Sequence, residues 1–307
     1  MTSDDLSPDP QPLPQPLPVA TAIRSHVFDT VRLAVPVMFS RAGLLLLTLV
    51  DTMMVGRFGA QDLAYLSLGI GPQLVLMLVA IGVLQGGIVL TAQAYGAGEY
   101  KSCGDIWRVS LAHAAVLGLI FAGISMFGGT LTRAMGIEED LARGAGGVAV
   151  QFAWGMPGML LYIACGYLLE GIRRPKVGMV ITLSANLVNV ALNIPFIYGW
   201  GTVIPAMGAT GAVGVTSFIR WMLFVVILGY VIFVLDREKY GIHMEVRDLL
   251  TDKARALGRR IRRLGAPMGI PQAVESSAMA GLIFMAGNMG AIATASHQVT
   301  MNVVQFF

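Results

Sequence analysis

The chain has 307 residues, of which 55% are hydrophobic and only 13% charged, with a net charge of +3 and a mean hydropathy of +0.70. A soluble globular domain carries roughly 25% charged residues, so this balance excludes one. The excess of apolar residues calls for a lipid environment instead.

Residues 1–20 are rich in Pro, Asp and Gln and lack the cationic start and apolar stretch of a signal peptide. They predict a disordered cytoplasmic tail. Beyond them, long apolar runs separated by short polar breaks fit helical spans of about 20 residues each. Seven complete runs lie near 33–55, 63–92, 107–128, 146–170, 177–198, 211–235 and 265–286, and an eighth opens at 292. Backbone groups in lipid must pair internally, and runs of this length are too long for barrel strands, so helices follow. Glycines inside the runs, such as Gly82, Gly86 and Gly87, let helix backbones approach closely. Cys103 and Cys165 fall in a break and at a span end on the side assigned to the cytoplasm, where idle thiols rather than a disulfide are expected.

With the N-terminus inside, the cytoplasmic breaks collect fourteen Lys and Arg, whereas the outer breaks hold three, Arg57, Arg133 and Arg143. The positive-inside rule therefore predicts that orientation. The net charge reflects membrane orientation and gives no ground for a nucleic-acid partner. Nine of the fourteen cations crowd the break 236–264. There Leu250, Ala254, Leu257, Ile261 and Leu264 share one helical face, with most of the cations elsewhere. That pattern predicts an amphipathic helix lying on the inner, anionic leaflet.

The residues around Arg32 recur 231 positions later around Arg263, without a gap: Arg32 and Leu33, Pro36, then Gly56, Gly59 and Ala60 match Arg263 and Leu264, Pro267, then Gly287, Gly290 and Ala291. A repeat of this length in so apolar a chain marks a transporter built from two similar halves. Six spans separate the copies, so both enter from the same side, and the halves are related by an axis along the membrane normal. The second copy has barely begun at Phe307, so one whole half plus the start of the other is expected. The domain boundaries follow as 1–20 tail, 21–235 first six-helix lobe, 236–264 inter-lobe linker, and 265–307 an incomplete second lobe.

Ionisable groups inside spans are costly, about 2.5–3.5 kcal/mol on insertion scales, so each needs a reason. Asp51 sits in the first span, with Thr48 one turn earlier as a possible donor to its carboxylate. In the fifth span Asn189 and Asn193 are four apart, so both amides point to one side. A carboxylate facing two amides can hold a proton or a small cation; the amides alone read equally as interhelical glue. Glu275 lies mid-span in the seventh, with Ser276 and Ser277 beside it and no cation in its span, which points to protonation or ion binding. The repeat aligns Asp51 with Leu282 and Glu275 with Leu44, so the halves carry different chemistry. Arg41 is read as a snorkelling anchor and Glu170 as pairing with Arg173 across one turn. Arg220 and His113 stay ambiguous. Met53, Met54, Met279 and Met285 suit either a cavity or ordinary packing. The sequence has no phosphate loop, no metal-spaced Cys/His cluster and no hydrolase triad, so neither ATP-driven transport nor enzymatic activity has support. No cofactor and no resident metal are called for; a transient Na⁺ at Asp51 or Glu275 is the one ion ligand considered.

Several motifs then share one source. LVDTMMVGRFGAQDLA, TAQAYGAGEY, WGMPGMLL, EGIRRPKVGMVITLSANLVNVALNIPFIYG, PAMGATGA and SHQVTMN, spread over 30–307, resemble the multidrug and toxic compound extrusion (MATE) family, in its NorM-like branch. The resemblance implies a twelve-helix, two-lobe, all-α membrane fold. It further implies a monomeric inner-membrane antiporter that expels cationic or amphipathic compounds by alternating access against an inward flow of H⁺ or Na⁺. Asp51 matches the family's first-helix coupling acid, Asn189 and Asn193 its helix-5 polar pair, and Glu275 the helix-7 acid of the branch. Leu44 and Val148 depart from the Gln and Tyr common at those positions and thin the polar network. A lipid-linked precursor flippase of similar architecture would need a cluster of cavity-facing cations, and only Arg41 and Arg220 are available; a non-transporting scaffold or channel has no use for Asp51 and Glu275.

Overall fold

A computed structural model describes residues 19–304 apart from 244–247 and 250. The expected tail lies almost wholly outside the described residues, as does Leu250 of the predicted amphipathic face. Among the described residues ten helices follow in order: α1 (Val19–Phe58), α2 (Ala60–Gly96), α3 (Ser102–Ser125), α4 (Gly128–Ala134), α5 (Glu139–Gly171), α6 (Pro175–Tyr198), α7 (Gly208–Phe233), α8 (Arg237–Tyr240), α9 (Asp252–Asn288) and α10 (Ala291–Val304). Among the described residues the only extended pairing is an isolated bridge between Trp200 and Ile204.

Six of these helices, α1, α2, α3, α5, α6 and α7, are long and apolar enough to cross a membrane. They cover the first six predicted runs. α9, the expected seventh span, is not among them: Gln272, Glu275, Ser276 and Ser277 and two prolines dilute its apolar half. α5 is the most enclosed helix, with 72% of its apolar window buried, and packs against α2, α3 and α7. α1 leans on α6, and α6 on α7.

The linker departs from expectation. The predicted amphipathic helix and the seventh span form one continuous helix, α9, capped by Thr251, whose side chain accepts from the Ala254 amide. The face read as a lipid contact packs on protein instead. Ile261 is fully buried, and Ala254, Leu257 and Leu264 sit against the core. An apolar stripe answers equally to lipid and to a neighbouring helix, and here α2 and α3 supply the neighbour.

α2 and α9 run antiparallel along most of their length. Gly82 and Gly86 on α2 meet Gly265 and Gly269 on α9. A Cβ on Gly82 would run into the Gly269 backbone, one on Gly86 into the Ile261 carbonyl, and one on Gly265 into the Val83 carbonyl. Small residues four apart on both helices bring the backbones into contact, which is how helices associate where lipid removes the hydrophobic drive.

Candidate functional site

Asp51 is 3% exposed, in the middle of the contact of α1 with α6 and α7. Asn193 donates to its Oδ1 at 2.7 Å, and the Thr216 hydroxyl donates to its Oδ2 at 2.6 Å. Asn193 also donates to Asn189 Oδ1 at 3.2 Å, and Asn189 donates to Thr216 Oγ1 at 3.1 Å. Four side chains from three helices thus close a ring, with both donor chains ending on the carboxylate. The amide orientations are those the network requires. Asn189 and Asn193 are fully buried, and their spacing of four puts both amides on the face of α6 that meets α1 and α7. The three predicted residues of the first lobe therefore come together.

Two parts of this site differ from the reading of the sequence. Thr48 is not a donor to Asp51; it lines a neighbouring cavity, while its carbonyl accepts from Thr52 at 2.9 Å. The hydroxyl on Asp51 is that of Thr216, which no motif singled out. A hydroxyl in a span is cheap and common, and only its position four residues before Arg220 on one face of α7 was a signal.

Arg220 is buried, with its guanidinium 4.1 Å over the Phe152 ring and its Nη1 without a hydrogen-bond partner. It is near enough for its charge to act on Asp51, yet no ion pair joins the two. Asn193 Oδ1 is likewise buried and unpartnered. The carboxylate thus rests on neutral donors, with a spare amide oxygen nearby. Such a site gains most from a proton or a small cation, since an ionised group in a low-dielectric interior is stable only when compensated.

Glu275 lies apart from this ring. Its exposed side chain faces a cavity of about 270 Å³ bounded by α1, α2, α9 and α10. Thr48, Ser67, Gln272, Ser276 and Gln298 supply the polar lining, and Leu74, Met279 and Ile283 are among the apolar residues. Through Thr48 the cavity reaches within one helical turn of Asp51. Ser276 is not turned toward Glu275: its hydroxyl donates to the Gln272 carbonyl within α9. Ser67 donates to Gln298 Oε1 at 2.6 Å, and these two residues are 231 apart, the spacing of the sequence repeat. Two residues at the repeat spacing thus meet on the wall of this cavity.

The remaining polar residues sort themselves structurally. Glu170 pairs with Arg41 across α5 and α1, at 3.4 Å, with the guanidinium 5.3 Å from the Tyr167 ring centroid. This corrects the reading of Glu170 as the partner of Arg173 and gives the Arg41 anchor an acid of its own. Arg173 stands beyond the end of α5 with φ 62°, off the helical face. His113 is a packed, hydrogen-bonded residue. Of the methionines, Met279 lines the cavity and Met54 packs on the core, whereas Met53 and Met285 are exposed. Cys103 and Cys165 are buried free thiols.

Six apolar helices of membrane-spanning length, a carboxylate caged on neutral donors among three of them and a second acid in a separate cavity belong to an all-helical polytopic membrane protein. The comparisons place it further. The family model MatE matches residues 36–194, more than half of the chain. A protein described as "Probable multidrug resistance protein NorM" from Caulobacter vibrioides is 32% identical over 284 residues, covering 92% of this chain and 59% of the relative. One of the same description from Acinetobacter baylyi is 30% identical, covering 86% and 57%. Among solved structures, a MATE protein in its bent conformation superposes with a TM-score of 0.73 at 22% identity, covering 91% of this chain and 60% of that one. An outward-facing multidrug resistance MATE family transporter gives 0.72 at 24% identity, covering 86% and 56%. The chain belongs to the MatE family. It spans a little under 60% of the length of the curated relatives it matches.

Proposed function

We infer that this chain supplies the first lobe, and the opening of the second, of an ion-coupled antiporter that exports cationic or amphipathic small molecules by alternating access. The names of its relatives point to multidrug resistance. The observation that carries the coupling is the ring Asp51–Asn193–Asn189–Thr216. A buried carboxylate whose hydrogen-bond partners are all neutral changes its interactions when it gains or loses a proton or Na⁺, and those partners belong to different helices. Loading it therefore alters how α1, α6 and α7 pack, which is the differential interaction a conformational cycle needs. In this reading H⁺ or Na⁺ occupies Asp51 with the Asn193 oxygen, and the unit works as a monomer in the plasma membrane, N-terminus inside, with no cofactor.

The cavity at Glu275 favours an organic cation over a phosphorylated lipid. Its described lining has Glu275 and no Arg or Lys, so an anionic headgroup finds no counter-charge there. Ethidium efflux from cells expressing the full-length protein tests the reading. Efflux should collapse when the H⁺ and Na⁺ gradients are dissipated, and efflux that persists would refute ion coupling.

Glu275 has a separate role to test. Glu275→Gln should flatten the Na⁺ or pH dependence of efflux with membrane expression retained, because the amide keeps the cavity's shape and loses only its charge. Full ion dependence in the variant would make Glu275 structural.

A further inference from the structure

We propose that the cleft between α3 and the first turns of α9 is a binding site for an anionic glycerophospholipid, with its phosphate on Arg259 and Arg262 and an acyl chain along α3. The cleft has a volume of about 560 Å³ and lies at the basic end of the bundle, where two helices emerge side by side. Arg255, Arg259 and Arg262 line it from α9, and Val109, Ala112 and His113 from α3.

The cations are not equally committed. Arg255 is paired with Asp252 at 3.2 Å. In the adjoining cluster Lys253 and Arg108 are answered by Asp105 and Asp248. Arg259 has no acid or acceptor among the described residues. Arg262 is held on the cleft wall by a neutral partner, donating to His113 Nε2 at 2.6 Å. His113 Nδ1 lies 2.8 Å from the Val109 carbonyl and must donate to it, which leaves Nε2 as the acceptor. That arrangement fixes the tautomer and the position of Arg262 without cancelling its charge. Gly258 makes room for the contact: a Cβ there would lie 2.9 Å from His113 Cε1.

Above the cations the surface turns apolar. Ala112, Val116, Leu119, Ile120 and Gly123 fall on one face of α3, and Val116, Leu119 and Ile120 are 56%, 67% and 51% exposed. A pair of uncompensated cations at a helix end, continued by an apolar strip into the span, has the polarity of a phospholipid read from headgroup to tail. Basic pockets between helices at the membrane surface take anionic headgroups for this reason. A free phosphate has no use for the strip, and a neutral lipid none for the uncancelled charge. The proposal rests on the membrane fold alone and stands whether or not Asp51 couples ions.

The test is lipid retention by the delipidated chain in neutral detergent, read by native mass spectrometry against added phosphatidylglycerol, phosphatidylcholine or inorganic phosphate. Phosphatidylglycerol should bind in preference to phosphatidylcholine. Arg259→Ala with Arg262→Ala should weaken it about thirtyfold, from the loss of two interfacial cations. Arg260→Ala with Arg263→Ala removes the same charge from the same helix outside the cleft and should leave retention unchanged. Arg259→Gln, which removes no bond from the fold, covers the case in which the double variant does not fold; it should cost about fivefold. Equal loss in the two double variants would overturn the proposal as diffuse attraction, and so would equal binding of the two lipids. Displacement of phosphatidylglycerol by an equal concentration of inorganic phosphate would overturn it as a free-anion site.

Discussion

Asp51→Asn is expected to reduce ion-coupled efflux by the full-length protein to the level of an empty vector, with membrane expression retained. The retention follows from the geometry. The new amide oxygen still accepts from Asn193, and the new amide nitrogen can face the Thr216 hydroxyl, which already accepts from Asn189. The ring therefore survives with one bond reversed. What disappears is the charge, and with it any reason for a proton or Na⁺ to enter a site that is 3% exposed. Fluorescent-dye efflux from energised cells, normalised to protein in the membrane, measures it. Wild-type efflux in the variant would remove Asp51 from the mechanism.

The second large effect is on packing. Gly86→Leu should strongly destabilise the junction of α2 and α9, because a Cβ at Gly86 already meets the Ile261 carbonyl and the Gly265 amide nitrogen lies 3.1 Å away. Backbone atoms of two continuous helices cannot move aside as a side-chain tip can. Overpacking of this kind costs about 1–3 kcal/mol and more when backbone must shift. Gly229→Leu is the matched control, since nothing lies within 4 Å of a Cβ there. Thermal unfolding in detergent should show a fall of several degrees for Gly86→Leu and little change for Gly229→Leu. Equal midpoints would mean that α9 does not hold to α2 through this contact.

Both effects turn on features that the chain shows unequally. Apolar runs are a property of the chain taken one segment at a time, and the first six became membrane-length helices. The pairing of Asn189 with Asn193 was legible for the same reason, since spacing of four within one helix fixes their common face. Partners on other helices were not. Glu170 finds Arg41 129 residues away rather than Arg173 three residues on, because the turn at Arg173 leaves the helix axis. Thr216 reaches Asp51 across 165 residues, and one hydroxyl in an apolar span carries no mark of what it faces. The stripe of Ala254, Leu257, Ile261 and Leu264 was assigned to lipid and meets protein, since an amphipathic stripe does not say which covers it. The repeat spacing was visible, yet the contact that falls on it, Ser67 with Gln298 231 residues on, was not, because neither residue is marked by type or by a motif of its own.

Ion coupling through the first lobe requires the buried carboxylate of Asp51 to take up an ion. The direct measurement is equilibrium binding of radiolabelled Na⁺, alongside proton uptake followed with a pH indicator, by the purified wild-type chain and its Asp51→Asn variant in detergent. The wild type should bind about one more H⁺ or Na⁺ per chain than the variant, as one intramembrane carboxylate requires. Identical H⁺ and Na⁺ uptake by the two proteins would contradict it.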